Sequence, residues 1–224
     1  MPEAAAGGAE QKVTIDELVL ADPPAPWQKL GFDVSDARLQ LGRVSVRLQG
    51  DEGARGIVGW SLRNLRSPQL DGLPTTRSTA ALRDRAPEHP NGVVAIDHVV
   101  AFSPALDRTV DALRAAGLDF RRIREEPTPA GAPRQAFFRL GAEILEVIQV
   151  PERALADAGG AHGPSRLWGL AFTVSDLDAT VTQLAGHVSA PRDAVQPGRR
   201  IATLRRSAGL GVPVALMTEG AQGA

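Results

Sequence analysis

Two hydrophobic periods alternate along this chain. Residues 44–48 (VSVRL) and 57–62 (IVGWSL) repeat every second position, as strands with one buried face do. Residues 93–102 (VVAIDHVVAF) form a nearly continuous apolar run that reads as a strand, interrupted by Asp97 and His98. The spacing then changes. Leu106, Val110, Leu113 and Ala116 recur at helical intervals, so a helix is expected over 105–116, started by Ser103 and Pro104 and stopped by Gly117. A strand at 120–124, a proline-broken loop EEPTPAGAPR, and the strands QAFFRL and EILEVIQV complete a block over 93–150.

A second copy of this pattern follows at 166–219. RLWGLAFTV reads as a strand, SDLDATVTQLAG as a helix capped by Ser175, and RRIATLRRS and PVALMTE as strands after a Pro/Gly loop. At an offset of 71, Leu106, Asp107, Thr109, Val110 and Leu113 fall on Leu177, Asp178, Thr180, Val181 and Leu184. Five identities at one fixed offset across a strand-to-helix junction mark an internal repeat. A weaker copy spans 13–65: VTIDELVLA, a proline-rich piece with a short or missing helix, ARLQLGRVSVRLQ and GIVGWSLRNL. Residues 1–12 read as a loose tail, and 66–92 as a polar linker with one helical turn around 79–85. The expected class is α+β: repeated βαβββ units whose small sheets, each covered by a helix on one face, must pair around a cavity.

Composition narrows the function classes. The 224 residues carry a net charge of -1, so no global field recruits nucleic acid or an anionic membrane, and a small-molecule ligand is the expected partner. Cysteine is absent, which excludes disulfides and thiolate chemistry and leaves any metal to histidine and carboxylates. No apolar run is long enough to span a bilayer, and a cytoplasmic protein is expected.

AIDHVVAF followed by LDRTVDALRAAG, with GAEILEVI closing the block, resembles the vicinal oxygen chelate superfamily, which groups glyoxalases, bleomycin-resistance proteins and extradiol dioxygenases. The resemblance implies a glyoxalase-like curved sheet around a cavity, with a degenerate unit at the N-terminus. In metal-dependent relatives, the first and last strands of each unit supply ligands to a divalent ion that chelates vicinal substrate oxygens. In antibiotic-binding relatives there is no metal and two chains line the pocket, so a homodimer is also expected. Carried over, the ligand positions are His98 and Glu146 in the 93–150 block. In the 166–219 block they fall on Gly169 and on Leu216 or Met217, and in the first block on Glu17 and near Gly59 or Trp60.

Unit pairing decides the chemistry. If the last two blocks pair, the cavity holds His98 and Glu146 alone, too few to bind iron, manganese, nickel or zinc tightly. If the first two pair, Glu17, His98 and Glu146 converge as a metal shell. The connection of about 15 residues between the last two blocks favours the first arrangement. His98 and Glu146 are the expected catalytic pair. Glu146, flanked on its face by Ile144 and Ile148, should have a raised pKa. Trp168 and Phe138 are expected to wall the ligand, and Arg122 and Arg205 to hold a carboxylate. Strand alternation sends Asp97 and Asp16 to the face opposite His98 and Glu17, toward packing or an arginine. The function implied is glyoxalase-like proton transfer on a small oxygenated metabolite, of lyase or isomerase type. The alternatives are a metal-free binding or antibiotic-resistance-type protein and a non-catalytic structural homologue.

Overall fold

The computed structural model describes residues 11–51, 53–127, 131 and 133–220, so the expected tail lies almost wholly outside the described residues. The N-terminal half folds as β1 (Thr14–Leu20), α1 (Pro24–Lys29), β2 (Arg38–Leu41), β3 (Val44–Leu48), β4 (Ile57–Arg63) and β5 (Thr75–Ser78). These strands form one sheet in the order β2-β3-β1-β4-β5. The helix is only six residues long, as expected of a segment that opens on two prolines and carries a third.

The C-terminal half contains two complete βαβββ units. The first is β6 (Val93–Ser103), α2 (Leu106–Ala115), β7 (Asp119–Arg124), β8 (Gln135–Leu140) and β9 (Glu143–Gln149). The second is β10 (Arg166–Val174), α3 (Leu177–Gln183), β11 (Arg192–Asp193), β12 (Arg200–Thr203) and β13 (Val214–Thr218). All eight strands share one sheet, ordered β11-β12-β13-β10-β6-β9-β8-β7, with the units joined through antiparallel β6 and β10. In each unit the last strand lies parallel to the first.

Helix α2 buries Leu106, Val110 and Leu113 on one face. It ends at Gly117, whose φ of +94° suits glycine, and Leu118 N–H closes back on the Leu113 carbonyl at 3.1 Å. The cap of α3 differs from the sequence expectation. Asp176, not Ser175, accepts from the Asp178 and Ala179 amides, while the Ser175 hydroxyl donates to Glu88.

The stretch expected as a linker is partly sheet. β4 and β5 are parallel, and Trp60 N–H donates to the Pro74 carbonyl at 3.1 Å, just as Leu170 N–H donates to the Pro213 carbonyl at 3.0 Å between β10 and β13. β4 and β5 are therefore the first and last strands of a fourth, abbreviated unit, with a short loop where the helix and two strands would stand. The helical turn expected near 79–85 does not form. Carbonyls there are taken instead by side chains of the sheet: Arg63 bonds Ala80 at 2.8 Å and Gln40 bonds Asp84 at 2.7 Å. The two sheets share a single apolar core, in which the fully buried Trp27 meets Phe32 at 5.0 Å and Phe172 of β10 at 6.3 Å between ring centres. No helix among the described residues is long and apolar enough to cross a membrane.

Candidate functional site

The site begins with an irregularity at the junction of the two C-terminal units. His98 lies opposite Ala171 and Val100 opposite Gly169, and the 71-residue offset exchanges these two pairs. Register shifts between Ile96 and His98 and between Leu167 and Gly169 give β6 an extra residue at Asp97 and β10 an extra residue at Trp168, again 71 apart. A β-bulge breaks strict alternation and re-aims the side chain it carries. Asp97 consequently joins His98 instead of pointing away from it, which corrects the expectation from alternation. Its carboxylate accepts from His98 Nδ1 at 2.7 Å and from Arg199 of the other unit at 2.5 Å. Burial pushes the Asp97 carboxyl up, but the hydrogen bonds and positive charge of His98 and Arg199 outweigh it and hold the pKa at about 2.

Glu146 stands on β9, opposite Val100 of β6 and Phe137 of β8. Its Oε2 is 3.5 Å from His98 Nε2, and its Oε1 accepts from the Gln135 amide. Burial raises its pKa, partly offset by His98, Gln135 and Arg124 and reinforced by Asp97. The charged form is thus disfavoured at a carboxyl that faces an imidazole. Gln135 is itself buried, and its Oε1 has no partner among the described residues.

His98, Glu146, Gln135 and Phe137 line a cavity of about 460 Å³. Arg122 and Arg124 of β7 enter from one edge strand of the sheet and Arg192 of β11 from the other, while Ile123, Ile201 and Met217 supply apolar wall. The eight-stranded sheet therefore curls until its two edges border one space. The volume lies in the range of small-ligand sites.

The remaining sequence candidates are placed unevenly. Arg122 borders the cavity, stacked over Phe137 at 5.1 Å. Phe138 does not: it is fully buried against Phe120, because β8 turns Ala136, Phe138 and Leu140 to the core and Gln135 and Phe137 to the cavity. Trp168 packs on Phe102 at 4.9 Å outside the cavity lining, and Arg205 borders a separate groove beside Asp22 and Arg55. Gln135 and Arg192 are lining residues that the sequence reading misses. Alternation along QAFFRL would have paired Gln135 with Phe137; nothing local marks Arg192.

Glu17 does not converge with His98 and Glu146. It sits on β1 in the other sheet, paired to Arg38 and, at 3.0 Å, to Arg47. In the 166–219 unit, the register of β10 and β13 puts Ala215, not Leu216 or Met217, at the place of Glu146. Gly169 and Ala215 offer no donor side chain, and among the described residues no three His, Asp or Glu side chains come together as a metal shell. His98 and Glu146 alone do not make the three- or four-ligand set that holds a divalent ion.

No protein-family model and no curated protein matches the sequence. Among solved structures, a xylose isomerase-like TIM barrel/4-hydroxyphenylpyruvate dioxygenase fusion protein aligns over 97% of this chain and 50% of its own, with a TM-score of 0.59 at 14% identity. Methylmalonyl-CoA epimerase from Mycobacterium tuberculosis aligns over 58% of this chain and 91% of its own, with a TM-score of 0.46 at 18% identity. A single-residue variant of Streptomyces coelicolor methylmalonyl-CoA epimerase, in complex with 2-nitronate-propionyl-CoA, aligns over 59% and 99%, with a TM-score of 0.47 at 25% identity. At 14% identity the likeness to the fusion protein is one of fold, and it extends over both sheets. With its βαβββ units joined edge to edge in a curled sheet, this chain has a glyoxalase-like fold.

Proposed function

We propose that the cavity binds a small oxygenated molecule and moves a proton next to its carbonyl group, an isomerase- or lyase-type step that requires no resident metal. The observation that carries this reading is the buried Glu146, its proton favoured by burial, 3.5 Å from a histidine that Asp97 holds from behind. A hydrogen bond from Nδ1–H to Asp97 leaves the Nε2 lone pair facing the cavity. Nε2 then takes a proton from the carbon beside the carbonyl, the C–H electron pair moves into an enolate, and Glu146 gives its own proton to the carbonyl oxygen. Asp97 stabilises the imidazolium so formed. The imidazolium, after exchange with solvent, returns a proton to the carbon and the enol hydroxyl returns its proton to Glu146, which leaves both groups as they began.

The experiment is exchange of carbon-bound hydrogen for deuterium, followed by NMR on a panel of small ketones and oxo acids. Glu146→Gln and His98→Asn should each slow exchange by about 10²- to 10⁴-fold, the usual contribution of one acid–base group. Unchanged exchange in both variants would falsify the reading. A binding protein without turnover is the second reading. It is favoured by Gly169 and Ala215, which leave one half of the joined sheet without donors at the positions equivalent to His98 and Glu146.

A further inference from the structure

Arg122 and Arg192 approach the cavity from opposite edge strands, and neither has a carboxylate partner within ion-pair distance among the described residues. Other arginines of β7 are neutralised: Arg121 pairs with Asp119 at 3.4 Å and Arg124 with Glu126 at 3.6 Å. Arg122 is instead held over the ring of Phe137, a stacking that orients a guanidinium while leaving its N–H fork free. Arg122, Phe137 and Glu146 lie in register across three neighbouring strands. Two strand spacings separate the backbone of Arg122 from that of Glu146 by roughly 10 Å. Phe137 lies between them, while Ile201 and Met217, in register with Arg192, supply apolar wall on the opposite side of the cavity.

From this arrangement we infer that the substrate is an oxo acid in which a short apolar chain separates the carbonyl from the carboxylate. The carboxylate sits between Arg122 and Arg192 at the mouth, the chain crosses Phe137, and the carbonyl with its acidic C–H reaches His98 and Glu146. Because β7 and β11 belong to different units, the clamp exists only when the sheet is curled as it is here. The placement of the carbonyl rests on the proton-transfer reading above. The clamp itself does not.

The test uses 4-oxopentanoate, 5-oxohexanoate and 6-oxoheptanoate, with their methyl esters as neutral counterparts. Binding to the full chain is measured by calorimetry and C–H exchange by NMR. At least one acid should bind about tenfold or more tighter than its ester, as loss of a charge-assisted bond demands. Arg122→Gln/Arg192→Gln should abolish that preference, bringing KM and affinity for the acid to those for its ester. Equal affinity of every acid and its ester, or an acid preference that survives in the double variant, overturns the clamp. Glu146→Gln should keep the preference and lose exchange. Acid preference without exchange in the wild-type protein would retain the clamp and overturn the proton-transfer reading alone.

Discussion

Arg47 stands to Glu17 in the N-terminal sheet as Glu146 stands to His98 in the C-terminal one. Arg47 and Glu146 each lie two positions beyond the strand partner of the other residue: Ser45 pairs with Glu17, and Ile144 with His98. The same backbone geometry thus carries a glutamate–arginine ion pair in one sheet and a histidine–glutamate pair in the other. Asp16, at the β1 bulge equivalent to that of Asp97, is likewise bonded to Arg63 and Arg83.

Glu17→Gln should therefore leave both proton exchange and metal content unchanged. Its partners Arg38 and Arg47 are substantially solvent-exposed, so the stability cost should stay within about 1 kcal/mol in urea unfolding. Elemental analysis of the purified protein should find no tightly held iron, manganese, nickel or zinc. One equivalent of metal that disappears in Glu17→Gln or His98→Ala would restore the metal-shell reading.

Glu146 gives the stability a definite pH dependence. Its pKa is raised in the folded state, so the fold binds its proton more tightly than the unfolded chain does. Its stabilising contribution is complete below the unfolded carboxyl pKa and is lost as pH rises through the folded value. Glu146→Gln, which cannot ionise, removes this loss. The difference in urea midpoint, variant minus wild type, should become more positive with rising pH above about 4.3, the unfolded glutamate value. A difference that is flat or falls with pH would contradict the assignment.

Asp97 and Arg199 tie the two C-terminal units together across the site, and their side chains are 14% and 11% exposed. Asp97→Ala would leave Arg199 without its carboxylate and His98 without the group that fixes its ring. Removing one member of a buried pair should cost on the order of 3 kcal/mol. Asp97→Ala/Arg199→Met should recover part of that stability but none of the exchange rate, because the imidazolium still lacks its counter-charge. Recovery of exchange along with stability would mean that Asp97 only supports the fold.

The repeat is the most legible feature of the sequence, because a sheet built twice on one plan keeps the residues that join strand to helix. Leu106 and Leu177 carry this, and both are buried as the first helical residue of their units. His98 is legible because a polar group stands out in an apolar strand, whereas Glu146 is singled out by the family resemblance. Alternation misplaces Asp97 because a bulge depends on the partner strand, and β10 lies some 70 residues away. The choice between Phe137 and Phe138 could have been made from alternation, Ala136 and Leu140 marking the core face. β5 escapes notice because TTRS lacks any apolar alternation and is held as an edge strand beside β4.

Gly169 raises a last question of cause. At the place equivalent to His98, it could simply be a ligand position that has lost its side chain. The packing gives another reason: a Cβ there would lie 3.1 Å from the Pro213 carbonyl oxygen, which already accepts from Leu170 N–H. Gly59 repeats the contact with Pro74, at 3.3 Å. Neither glycine has a positive φ, so contact rather than backbone strain decides the cost. Gly169→Ala must push β10 and β13 apart near their shared hydrogen bond and should destabilise the fold by roughly 1–3 kcal/mol, with Gly59→Ala costing less. Urea midpoints of the two variants measure this directly. If Gly169→Ala is as stable as wild type, close approach of β13 does not require glycine at this position.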